Sequence, residues 1–81
     1  RAARLVPLDA TTCLVIGENE IAALRRGPGG WTACATRAPG VGYPYIVHAG
    51  PGSAWVELGL NRVARIDLEE GGVRVRLLEE I

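Results

Sequence analysis

Residues 59–72 read GLNRVARIDLEEGG, and residues 17–30 read GENEIAALRRGPGG. Laid over each other, they put Gly59 on Gly17, Asn61 on Asn19, Ala64 on Ala22 and Gly71-Gly72 on Gly29-Gly30. The offset is 42 positions, and it extends outward without a gap. Val47 falls on Leu5, Val56 on Leu14, Leu58 on Ile16, Val63 on Ile21 and Ile66 on Leu24. Identities concentrated at glycine and asparagine, with apolar positions in step between them, mark a structural repeat. Gly and Asn accept the positive φ that tight hairpins need, so the identities fall where the chain must reverse.

Each repeat carries four short β-like runs. In the first they are Arg4–Leu8, Cys13–Ile16, Glu20–Arg25 and Trp31–Thr36. In the second they are Tyr45–Ala49, Ala54–Leu58, Arg62–Leu68 and Val73–Leu78. The breaks are rich in Gly, Pro, Asn and Asp, as at Gly27-Pro28-Gly29-Gly30 and Gly50-Pro51-Gly52. Helix competes poorly, because no stretch of 10–12 residues is free of Gly and Pro and also shows a 3.6-residue period. Four strands in about 40 residues make one blade of a β-propeller. The sequence therefore predicts an all-β chain of two four-stranded antiparallel blades. The first spans about 3–37 and the second about 45–79, in a single unit over 1–81. Tyr45-Ile46-Val47 is apolar on both sides, as an inner strand would be, while Val73–Leu77 alternates like a half-exposed outer one.

Two blades cannot close around an axis, since propellers need about 4–8. A lone pair is expected to leave both outer faces apolar and unmatched. The chain is then part of a six- to eight-bladed propeller, or copies of it assemble head-to-tail, as a trimer or a tetramer. Its partners are accordingly further blades, from the same parent chain or from identical copies. Opening on Arg1 instead of Met, it reads as a piece of something longer or as a processed product.

The charge balance narrows the function classes. Nine basic residues, all arginine, meet nine acids, so no basic field exists to draw in nucleic acid or an anionic membrane. No apolar run reaches the roughly 18–20 residues that a membrane span needs.

Ser53–Asp67, SAWVELGLNRVARID, resembles the blade motif of the propellers that include NHL repeats and streptogramin lyases. It also resembles the two-component-regulator propeller repeats in sensor regions of bacterial hybrid histidine kinases. Trp55-Val56, Gly59, Asn61-Arg62-Val63 and Ile66-Asp67 carry the likeness. The first repeat departs from it, with Cys13 at the Trp position, Glu20 at the Arg and Arg25 at the Asp. The resemblance implies a recognition module, extracytoplasmic if it comes from a sensor; the lyases it also resembles use a histidine as acid/base.

Tyr43 and Tyr45 flank Pro44 on the link between the blades. That link shares an end of the unit with the turns at Glu18-Asn19 and Leu60-Asn61, where loops from many blades converge and propellers take partners. Tyr43, Glu57 and Arg62 are the candidate ligand- or partner-binding residues at this mouth, with packing between blades as the plainer role for the two tyrosines. His48, the single histidine, reads as structural or solvated, without a partner group in the sequence around it. Cys13 and Cys34 fall on the second and fourth strands of one blade, roughly 9–10 Å apart at ~4.8 Å per strand. That is too far for a disulfide, so they read as free thiols filling core space. No Cys/His spacing suggests zinc, and no cofactor is expected. Glu69-Glu70 and Glu79-Glu80 read as solvated pairs. Gly27–Gly30 reads as a hairpin, since no Lys-Ser/Thr and no helix follow it as a phosphate cradle requires.

Three functions fit. The first is a non-catalytic propeller segment for ligand or protein recognition, from a bacterial sensor. The second is a two-blade building block, natural or engineered, that self-assembles into a ring. The third is a fragment of a lyase-type propeller enzyme with His48 as its acid/base.

Overall fold

The computed structural model describes residues 3–38, 46–59 and 62–78. Its elements are strands: β1 (Arg4–Pro7), β2 (Thr12–Ile16), β3 (Glu20–Gly27), β4 (Gly30–Arg37), β5 (Ile46–Gly50), β6 (Ser53–Gly59), β7 (Arg62–Glu69) and β8 (Gly72–Leu78). They form two four-stranded antiparallel meanders, β1-β2-β3-β4 and β5-β6-β7-β8. The chain is thus all-β, an arrangement consistent with two blades.

The sheets stack face to face, like upon like: β1 lies against β5, and β3 and β4 against β8. A chain that repeats one sheet and lays the copy on the original produces this order. In the second sheet apolar residues mostly alternate along β6, β7 and β8, giving it one side to bury, whereas β2 and β3 of the first sheet are apolar on both sides. In the first sheet the row Val6–Leu14–Ala23–Cys34 runs across all four strands on the buried side. In the second, Val47–Val56–Ala64–Leu77 and Ala49–Ala54–Ile66–Val75 face it. Leu14, Ile16, Ile21, Val56 and Ile66 are fully enclosed and form the centre of one shared core.

A stacked pair buries opposite sides of the repeat, the rear of the first sheet and the front of the second. Ile21 and Ala23 are buried in β3, whereas in β7 the buried residues are Ala64 and Ile66, the counterparts of Ala22 and Leu24. The second strand of the repeat departs from the 42-residue offset to accommodate this. Val15 pairs with Ala22, whereas Ala64 pairs with Val56 and not with Glu57. Strand β6 has slipped by one residue. A β-bulge between Glu57 and Gly59 restores the offset, and the β5–β6 hairpin is one residue shorter than its counterpart. The gap-free alignment therefore holds for three strands of the repeat and fails for the second. The cause is the side-chain period of two, since an unslipped β6 would turn Trp55 and Glu57 into the core and Ala54 and Val56 out of it.

The identities at Gly29-Gly30 and Gly71-Gly72 also find their reason. Gly30 and Gly72 open the fourth strands with φ of 110° and 148°, a region that disfavours any residue with a Cβ. At the first hairpin Asp9 Oδ1 accepts the backbone N–H of Thr11 at 2.9 Å and the Thr12 hydroxyl at 2.8 Å. These hydrogen bonds hold its carboxyl below the ordinary 3.8.

Candidate functional site

Because the stack covers one side of each sheet, the other sides decide what the chain can touch, and they differ. The outer face of the first sheet is apolar through its middle, as expected: Leu5–Val15–Ala22–Ala35 and Pro7–Cys13–Leu24–Ala33 form complete rows without a charge, with Arg26 beside Trp31 and the Glu20–Arg37 pair at either end. Leu5 is 66% exposed and Trp31, beside those rows, 56%. The outer face of the second sheet is not apolar, which corrects the expectation of two matching sides. There the row His48–Trp55–Arg65–Arg76 crosses all four strands. The slip of β6 places Trp55 in it, between His48 and Arg65, which lie on this side in either register.

Polar partners on this face are drawn from adjacent strands. His48 Nε2 lies 2.9 Å from Glu57 Oε2 across the β5–β6 hairpin. This corrects the reading of His48 as partnerless; the contact joins residues of neighbouring rows, which sequence spacing alone does not display. The Arg65 guanidinium sits 5.2 Å from the centre of the Trp55 ring, within cation–π range. Its Nε also donates to Asp67 Oδ1 at 2.9 Å. Arg76 donates to Asp67 Oδ2 at 3.3 Å, and Arg74 Nε meets Glu69 Oε2 at 2.7 Å. The hydrogen bond from Arg65, with that of Arg76 behind it, holds the Asp67 carboxyl below its ordinary 3.8, against a smaller upward push from burial. The outcome is a platform that carries an indole among polar partners, with Arg65 and Arg76 sharing Asp67 and Arg74 paired with Glu69.

Of the three candidate mouth residues, Tyr43 lies outside the described residues, as does Tyr45. Glu57 is on the platform, bonded to His48. Arg62 opens β7 opposite Gly59, at the same end of the sheet, and strand alternation groups it with Ala64 and Ile66 on the inner side. Its Nε is buried without a hydrogen-bond partner. The meander does bring the β2–β3 turn and the exit of β4 to one end, where Ala38 N–H donates to Asn19 O at 2.8 Å.

Cys13 and Cys34 are free thiols, each half-buried, on opposite sides of the first sheet. Neither fills the core: Cys13 sits in the outer apolar face, and Cys34 donates from Sγ to Gly71 O at the seam between sheets. Gly27–Gly30 forms the β3–β4 hairpin. Glu69 and Glu70 sit at the β7–β8 hairpin, where their backbone carbonyls accept hydrogen bonds from Arg25; Glu79-Glu80 lies outside the described residues. Among the described residues there is no group of three or more His, Cys, Asp or Glu able to hold a metal ion, and no helix long and apolar enough to cross a membrane. Comparison with protein-family models, with curated proteins and with solved structures finds no match.

Proposed function

We propose that the chain is a two-blade segment of a larger β-propeller that serves in non-catalytic recognition, of the sensor type its second repeat resembles. The observation behind this reading is the stacking of two meanders of one repeat, like strand upon like strand. Such a stack continues by adding further copies. Recognition is favoured over turnover by the form of the exposed chemistry. His48 and Glu57 have side chains 60% and 46% exposed on an open sheet face, whereas acid/base catalysis needs groups converging on a bound substrate in a site that restricts water. An indole with an adjacent guanidinium suits contact with a planar or peptide ligand. Tyr43, Glu57 and Arg62 are the proposed ligand or partner contacts at the end of the unit, with Glu57 reaching it from the outer face of the second sheet and Arg62 from the inner side.

A screen of the whole chain against peptides and small polar ligands, read by amide chemical shifts, tests this. The expected result is shifts gathered at Glu57, Arg62 and the turns beside them, abolished by Arg62→Ala. Shifts confined to other parts of the chain would remove the proposed site. Turnover of a screened ligand, lost in His48→Ala, would establish the enzyme reading instead.

A further inference from the structure

The outer face of the first sheet is a copy, row by row, of a face that the second sheet already buries. Leu5–Val15–Ala22–Ala35 corresponds to Val47–Val56–Ala64–Leu77, and Pro7–Cys13–Leu24–Ala33 to Ala49–Ala54–Ile66–Val75. Trp31, 56% exposed, occupies the place of Val73, which is 7% exposed against the first sheet. Both rows are apolar throughout and close in size over the first three strands, with smaller residues on the fourth (Ala35 and Ala33 against Leu77 and Val75), and Val56, Ala64, Ala54 and Ile66 in the second sheet are all fully enclosed. A face of this composition is thus seen in this chain to seat on the inner side of a first-type sheet.

The complementary side is not repeated. The first sheet seats its neighbour through Val6–Leu14–Ala23–Cys34, and at the rim through Arg25 and Thr36. Arg25 donates to the carbonyls of Glu69 and Glu70, and Thr36 Oγ1 accepts the N–H of Val73. The corresponding row of the second sheet is His48–Trp55–Arg65–Arg76, and the rim positions are Asp67 and Leu78. Asp67 cannot donate to hairpin carbonyls, and Leu78 has no acceptor for a strand N–H. Seating the apolar rows on this platform would strip water from Arg65 and Arg76, which share the single carboxylate of Asp67, and set them against aliphatic side chains that offer no further acceptor.

We infer that the outer face of the first sheet seats a further four-stranded sheet of this repeat, one whose presented side is built like the inner side of the first sheet. The second sheet of another copy of this chain does not take that place. A ring closed head-to-tail from identical copies is thereby disfavoured relative to a longer stack of unlike repeats. The inference rests on the propeller-segment reading above but not on its recognition part, so a blank ligand screen leaves it standing.

Two extended chains test it. In one, a second copy of residues 3–38 precedes the whole chain, joined through residues 39–45; in the other, a copy of residues 46–78 stands there, joined the same way. The first is expected to raise the urea midpoint of unfolding, and the second to leave it unchanged. Ala33→Arg in the original first sheet, exposed in the chain as it stands, is expected to remove the gain. Equal gains, no gain from either, or a gain from the second alone overturns the inference. So does a discrete trimer or tetramer of the unaltered chain by light scattering that Ala33→Arg disperses, an outcome that would also replace the segment reading with the self-assembling ring.

Discussion

The hydroxyl oxygen of Thr36 accepts the backbone N–H of Val73 at 3.1 Å, linking the outer strand of one sheet to the outer strand of the other. Edge strands carry unpaired backbone groups, and a side-chain acceptor from the neighbouring sheet satisfies one of them here. The approach is so close that a Cβ at Gly72 would collide with Thr36 Oγ1. With φ at 148° as well, glycine is required at position 72 on two independent grounds.

Gly72→Ala is therefore expected to destabilise the fold by about 1–3 kcal/mol, from backbone strain and a forced opening of the seam. Gly71→Ala, with open space around it and no positive φ recorded, should stay within about 0.5 kcal/mol. Urea unfolding of the two variants, measured together, separates the requirement for glycine at one position from its tolerance at the next. Equal losses would mean that the sheets do not meet at this point.

Two leucines on opposite sides of β1 and β2 give a second contrast. Leu14 is fully enclosed between the sheets, while Leu5 is 66% exposed on the outer apolar face. Leu14→Ala should cost about 2–5 kcal/mol, enough to unfold much of a domain this small. Leu5→Ala should change the stability of the isolated chain by less than about 0.5 kcal/mol. Thermal unfolding followed by far-UV circular dichroism measures both.

The extent to which the sequence displays this structure varies with the scale of the interaction. The β3 run at Glu20–Arg25 and the β7 run at Arg62–Leu68 each extend in the structure by one or two residues, because turn glycines and β-branched content mark them locally. The slip of β6 is a different matter. No local feature of Ser53–Gly59 announces it, since it answers a tertiary demand that Ala54 and Val56 face the first sheet. For the same reason the platform was legible only in part. Glu57 stands out as an acid in a blade motif, but its bond to His48 and the stacking of Arg65 on Trp55 depend on the cross-strand register that the slip sets. His48, Arg65 and Arg76 lie on the outer face of the second sheet in either register; the one-residue move of β6 decides whether Val56 or Trp55 sits among them.

Asp67 links this register to pH. Its carboxyl accepts from Arg65 and Arg76, and its folded-state pKa lies below 3.8. A depressed folded pKa contributes stability that is complete well above the unfolded value. That contribution drains away as the pH falls through the unfolded value towards the folded one. The wild-type urea midpoint should thus decline as the pH drops below about 5. Asp67→Asn, which cannot titrate, should begin lower at neutral pH and show a shallower decline. Parallel curves for the two proteins would show that Asp67 is not among the groups responsible.

Arg25 offers the sharpest test of the difference between the two sides of the repeat. Its guanidinium donates to the carbonyl oxygens of Glu69 and Glu70, holding the β7–β8 hairpin against the first sheet. The equivalent residue on the second sheet is Asp67. Arg25→Met keeps much of the apolar stem and removes the donors. Hydrogen bonds from a charged group contribute about 1.5–3 kcal/mol when shielded, and exposure of the contact reduces this to about 1 kcal/mol. Arg25→Asp should cost more than Arg25→Met, because it sets a carboxylate against two carbonyl oxygens with no donor between them. Amide exchange at Gly71 and Val73 is the direct readout, and it should accelerate in the order wild type, Met, Asp. If the Asp variant exchanged no faster than the Met variant, the rim contact would not discriminate between the two residues. The mismatch of Asp67 at the corresponding position would then no longer argue against stacking on the second sheet.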